Sequence, residues 1–142
     1  MIYVGGICLL LKEEMVTDYV NEKGLISDEK GIAVWGQIMP KLTDHMIGGL
    51  FSSLQVQYNV LYVTNSKLII IPINNVTGKI VEENHVILTK EEITSVNWRK
   101  KLFGYELYLE SIHGILTFKV NKFMIGAKWH KENLDQFIKL LG

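Results

Sequence analysis

Four histidines, His45, His85, His113 and His130, are the side chains of this chain best suited to hold a metal or move a proton near neutral pH. A catalytic zinc site wants ligands converging at about 2 Å, commonly with two histidines three to five residues apart. The closest two here, His113 and His130, are 17 residues apart, and Cys8 is the single cysteine. His113 falls in an expected turn and His130 at an expected helix start, both ordinary surface positions. No metal and no cofactor are expected. A Ser/His/Asp triad can be drawn through any sequence, because its members need not be neighbours. The nucleophile-elbow pattern G-x-S-x-G that would anchor one is missing.

The other chemistry-bearing patterns are equally thin. Glu13-Glu14, Glu82-Glu83 and Glu91-Glu92 are adjacent carboxylates, which in extended chain point to opposite faces. Solvated loop or helix charge is their ordinary reading. Gly5-Gly6 and Gly48-Gly49 neither precede a lysine-serine pair nor fit G-x-G-x-x-G, so a phosphate cradle lacks its backbone and its cation. No catalytic residues are expected, and the chain is not read as an enzyme.

Two patches remain that could bind. Arg99-Lys100-Lys101, between Trp98 and Phe103, is a basic cluster with aromatic flanks in an expected turn. It could touch an anion or a phosphate headgroup, with polybasic attachment worth about 1 kcal/mol per residue at an anionic surface. Trp98 and Phe103 are expected to pack beneath that turn. The second patch, Met46-Ile47-Gly48-Gly49-Leu50-Phe51-Ser52-Ser53-Leu54, is apolar where a connection should be polar. Three explanations compete. It folds back on the core as a short helix with Met46, Ile47, Leu50 and Leu54 on one face, it buries Met46, Ile47, Leu50, Phe51 and Leu54 against another subunit or protein, or it wedges into a bilayer.

The elements that must carry these patches follow from composition and periodicity. A chain of 142 residues fits one domain and buries enough surface to need no disulfide or metal staple. With 15 basic and 15 acidic residues its formal net charge is zero, so nothing global draws it to nucleic acid, and no nucleic acid is expected as a partner. A single thiol suits a reducing cytoplasm. Arg99 is the only arginine among many lysines, a bias of the kind AT-rich bacterial genomes impose. The apolar opening Ile2 to Leu11 is about half the ~20 residues a membrane-spanning helix needs and is read as a buried first element.

Met15, Tyr19 and Val20 at helical spacing predict a short helix over Glu13 to Lys23, with Gly24 as its cap. From Ile32 onward the pattern is strand after strand. Ile32 to Met39, Tyr58 to Val63 and Lys67 to Pro72 are β-rich, and Thr64-Asn65-Ser66 joins the last two as a hairpin. Consecutive Ile69, Ile70 and Ile71 predict a strand covered on both faces. Val86 to Leu88 and Ile93 to Trp98 follow. Tyr105, Leu107 and Leu109, then Leu116, Phe118 and Val120, alternate with polar residues around a turn at His113-Gly114. Leu134, Phe137, Ile138 and Leu141 form one apolar stripe of a final helix, which should plug an open edge or end of the sheet.

The stretch Leu61-Tyr62-Val63-Thr64-Asn65-Ser66-Lys67-Leu68-Ile69-Ile70-Ile71-Pro72 resembles the second hairpin of GRAM and bacterial PH-like domains, where L-x-x-T-N-x-x-L-I recurs before apolar residues. Ile93-Thr94-Ser95-Val96 is similar to that family's fifth strand. Gly104 to Leu109 and Gly114 to Phe118 are similar to its last two strands, and His130 to Leu141 to its capping helix. The resemblance covers Gly31 to Gly142. It implies a mainly β, PH-like fold: a seven-stranded bent barrel or sandwich capped by a C-terminal α-helix. Residues 1–30 would then be a short, partly helical N-terminal extension and 31–142 the domain. Eukaryotic relatives of this kind often bind phosphoinositides through basic residues between their first two strands. Here Lys41 to Val56 holds only Lys41 and His45, with Asp44 beside them, a departure from that pattern. The bacterial members resemble protein-binding or self-assembling modules. The expected function is therefore a non-enzymatic cytoplasmic module for self-association or protein binding through 46–54. The alternative is a peripheral lipid binder that combines the 99–101 turn with that apolar loop.

Overall fold

The computed structural model describes residues 3, 4, 7, 8, 11–39, 50, 51, 54 and 58–142. Two short strands, β1 (Tyr3–Val4) and β2 (Ile7–Cys8), pair as an antiparallel hairpin ahead of helix α1 (Glu13–Glu22). Seven strands follow: β3 (Ile32–Ile38), β4 (Tyr58–Val63), β5 (Lys67–Pro72), β6 (Val86–Thr89), β7 (Ile93–Lys101), β8 (Gly104–Ser111) and β9 (Gly114–Asn121). Helix α2 (Lys128–Leu141) ends the fold. The seven strands form one bent, unclosed antiparallel sheet in the order β6-β5-β4-β3-β9-β8-β7. This is the mainly β architecture with a C-terminal helix that the alternation implied.

The bend has a local origin. β3 pairs with β4 from Ile32 to Gln37 but meets β9 only at Gln37↔Lys119 and Ile38↔Phe118. With so short a shared ladder, the β6-β5-β4-β3 half can turn away from the β9-β8-β7 half. Side chains that alternate along the strands then supply two cores. Val34, Leu61, Leu68, Ile70, Leu107 and Phe118 face one side, where α2 adds Leu134, Phe137 and Leu141. Ala33, Trp35, Val60, Tyr62, Ile69 and Ile71 face the other. Ile69, Ile70 and Ile71 are all fully buried, as a strand covered on both faces requires.

The outer face is covered by α1. Val16, Tyr19 and Val20 are its buried residues, so the apolar stripe is phased one position later than Met15 would set it, and Met15 remains 45% exposed. The helix stops as expected. Gly24 takes a left-handed φ of 65°, and the amides of Gly24 and Leu25 bond back to the carbonyls of Asn21 and Val20. Residues 11–26 are thus packed on the sheet instead of trailing from it.

Two expectations at the last meander change. β7 continues past Trp98 through Arg99, Lys100 and Lys101, so the basic cluster is strand and not turn. Lys101 pairs with Gly104, which leaves Leu102-Phe103 as the two-residue connection. The close approach at Gly104 forbids a side chain, because a Cβ there would collide with the carbonyl oxygen of Val120 and lie 2.8 Å from the Cα of Asn121.

Candidate docking surface at the β7–β8 tip

The groups that could do proton or metal chemistry are occupied by structural tasks. His130 is fully buried, not a surface residue at a helix start. Its Nδ1 accepts the amide N–H of Trp35 at 2.9 Å, so Nε2 carries the proton and donates it to the carbonyl of Asn121 at 2.5 Å. Burial lowers its pKa below the ordinary value of 6.5. The hydroxyl of Tyr19 accepts the amide N–H of Glu83 at 3.0 Å and shares a hydrogen bond with Nδ1 of His85 at 2.7 Å. His113 Nε2 meets Glu92 Oε2 at 2.6 Å. His45 lies outside the described residues. Among the described residues, no three His, Cys, Asp or Glu side chains gather to hold a metal ion.

The paired carboxylates divide in a way adjacency alone did not show. Glu82 and Glu83 do not point apart: Lys23 Nζ reaches both, at 3.2 and 2.5 Å. Hydrogen bonds to Glu83 and then Glu82 push the Lys23 pKa up to about 12, and the same lysine lowers that of Glu83. Glu83 holds a left-handed φ of 68° to make this contact. Glu92 closes a capping box on Thr89 around the turn Lys90–Glu92, and the Thr89 amide followed by His113 lowers its pKa. Gly5-Gly6 and Gly48-Gly49 lie outside the described residues.

The exposed chemistry lies at the end of β7 and β8. Leu102 and Phe103 are 79% and 77% exposed, so Phe103 does not pack beneath a turn as expected. Trp98 does pack inward, edge-on to Phe137 and Tyr105 at 6.1 and 5.9 Å between ring centroids. The register explains the difference. Trp98 lies within the ladder opposite Leu107, whereas Leu102 and Phe103 lie beyond the last pair. The exit of β9 is fastened to the same tip, with the Lys122 amide donating to the Phe103 carbonyl at 3.0 Å. Next along the chain come Phe123 and Ile125, 65% and 56% exposed. Four large apolar side chains therefore stand on two neighbouring connections, with exposed Lys100, Lys101 and Lys122 among them.

A hollow of about 450 Å³ opens beneath the tip. Met39, Phe103 and Tyr105 line it together with Lys101, Lys119 and Glu106. Arg99 faces Glu106 across the ladder at 3.8 Å, a surface ion pair of little energetic weight. Lys100 and Lys101 are therefore the members of the cluster placed closest to the apolar tip.

Of the apolar stretch 46–54, the described residues Leu50, Phe51 and Leu54 are not brought to this end. Met46 and Ile47 lie outside the described residues. Phe51 is 1% exposed inside the core, edge-on to the His113 ring at 6.4 Å, and Leu54 packs against the same core. Leu50 is 36% exposed. His113 follows β8 at its far end, and the eight residues of β8 separate it from Leu102 and Phe103 by roughly 25 Å of strand. The lipid arrangement that needed the basic cluster and this loop side by side is therefore not formed by Phe51. Burial takes Phe51 out of the expected interaction surface.

A second hollow, of about 590 Å³, lies between α1 and the segment 77–82 that follows β5. Leu11, Met15 and Ile80 line it with apolar surface, and Asp18, Glu22 and Glu82 add carboxylates to its lining. Sequence reasoning missed it because it depends on the one-position phase of α1, which turns Met15 outward.

Comparison with known proteins adds one likeness. No family model matches the chain, and no curated protein matches it. Among solved structures it is similar to a Vps36 N-terminal PH domain, at 16% identity and a TM-score of 0.41, over 79% of this chain and 83% of that one.

Proposed function

We propose that this chain is a non-catalytic interaction module that docks on an anionic membrane surface through the β7–β8 tip. The observation that carries this reading is the coincidence of exposed Leu102, Phe103, Phe123 and Ile125 with Lys100, Lys101 and Lys122, joined by the Lys122–Phe103 backbone bond. Isolated exposed apolar residues are normal on a protein surface, but four of them on two bonded connections that also carry three lysines mark a site. Each side chain has a task in it. Leu102 and Phe103 enter the acyl boundary, where a buried Leu or Phe contributes roughly 1.5–3 kcal/mol. The three lysines stay at the headgroups and together supply roughly 3 kcal/mol. The apolar share is at least as large as the ionic one, so salt weakens attachment without abolishing it. No described helix is long and apolar enough to cross a membrane.

A protein partner is the second reading. Leu50 and Ile112, 36% and 65% exposed, stand near the opposite end of β8 and leave an apolar surface there. It is a smaller surface than Met46 to Leu54 promised, because Phe51 is committed to the core.

Flotation with liposomes separates the readings. The protein should float with anionic vesicles and more weakly with neutral ones, less at high salt, and both Lys100→Glu/Lys101→Glu and Leu102→Glu/Phe103→Glu should float much less than the wild type. Flotation of the apolar-tip variant at wild-type levels would remove the membrane reading.

A further inference from the structure

We infer that the hollow between α1 and residues 77–82 receives the β7–β8 tip of a second copy of this chain. The two surfaces are complementary in apolar character and in sign. The tip is a narrow knob of two apolar side chains, Leu102 and Phe103, flanked by Lys100 and Lys101. The hollow is about 590 Å³, within the range that holds a drug-sized body, and its lining includes the apolar side chains of Leu11, Met15 and Ile80. Asp18, Glu22 and Glu82 line it together with Lys79, and Lys23 already pairs with Glu82 at 3.2 Å, so Asp18 and Glu22 are the carboxylates left to meet an incoming cation. Among the described residues neither Asp18 nor Glu22 is paired with a cation. Met15, in the lining and 45% exposed, is a large flexible side chain left open to solvent, the kind that repacks around an incoming aromatic ring.

The occupant has to be another molecule. β7 and β8 are paired up to Lys101↔Gly104, and the tip is tied to β9 through Lys122, so it cannot fold back into its own hollow. Zero formal net charge removes long-range repulsion between copies, so local complementarity decides the contact. Knob and hollow are different patches, so the contact either closes reciprocally in pairs or runs head to tail. It also uses the residues assigned to the membrane, which makes assembly and attachment compete. Assembly is measured without lipid, so it stands or falls independently of the membrane reading.

Sedimentation velocity across a concentration series at low salt tests it. The wild type should associate beyond the monomer, and Lys100→Glu/Lys101→Glu and Asp18→Lys/Glu22→Lys should each weaken association by about tenfold or more. All four positions are exposed, so folding is preserved, and circular dichroism checks this directly. Mixed in equal amounts, the two variants should form one-to-one complexes, since one keeps an intact hollow and the other an intact tip. The fourfold variant, with both signs exchanged, should associate again. A wild type that stays monomeric throughout the series, or one whose assembly ignores the Asp18→Lys/Glu22→Lys change, would overturn the inference.

Discussion

His130 Nδ1 accepts the amide of Trp35 across 95 positions of sequence, while its Nε2–H reaches the carbonyl of Asn121. One imidazole thereby ties the start of α2 to β3 and to the end of β9, just ahead of the connection that displays Phe123. Both ring nitrogens are used by the neutral form, and a proton on Nδ1 would break the bond to Trp35. Burial lowers the folded-state pKa below 6.5, so the stabilisation is complete above pH 6.5 and is lost as pH falls through the folded value. Urea unfolding at pH 7.5 and pH 5.5 should show the wild type weakening while His130→Gln, less stable by about 2–3 kcal/mol at the higher pH, weakens less. Equal losses in the two proteins would refute the assignment. The carboxylates Glu29, Glu83 and Glu92, with pKa values lowered below 4.5, act in a lower window.

Phe51 offers a test of where the apolar stretch goes. A phenylalanine that is 1% exposed and packed on the core should cost about 3–5 kcal/mol when cut to alanine. Denaturant unfolding of Phe51→Ala should therefore show a large shift in midpoint. A change below about 0.5 kcal/mol, the ordinary size for a surface substitution, would place the residue outside the core.

Tyr19 joins α1 to the segment after β5 through one hydroxyl, which bonds the Glu83 amide and His85 at once. Tyr19→Phe leaves the ring packing intact and removes both bonds, at a cost of about 1–2 kcal/mol. Hydrogen exchange should then speed up at the Glu83 amide while the β8 amides remain protected. Unchanged exchange at Glu83 would show that the hydroxyl does not hold this segment.

Most of the architecture was legible because it depends on periodicity. Leu107 and Leu109, then Leu116, Phe118 and Val120, reveal their strands by alternation, and Leu134, Phe137 and Leu141 reveal α2 by one stripe. What escaped depends on partners distant in sequence. The polar run Arg99 to Lys101 reads as a turn locally, yet its pairing with Glu106, Tyr105 and Gly104 makes it strand and moves the turn to Leu102-Phe103. That shift of the turn leaves Phe103, expected to pack beneath it, exposed beside Leu102. His130 shares a helix end with exposed Lys131, and only the backbone groups of Trp35 and Asn121 distinguish it as buried.

The most direct test of the docking account compares the two ends of β8 with an environment-sensitive dye. Cys8→Ser removes the native thiol, and NBD is attached at Leu102→Cys in one protein and Leu50→Cys in another. On addition of anionic vesicles, emission at position 102 should brighten and shift to the blue while that at position 50 stays constant. A blue shift at position 50 with none at 102 would contradict the account and return the apolar stretch 46–54 to the membrane.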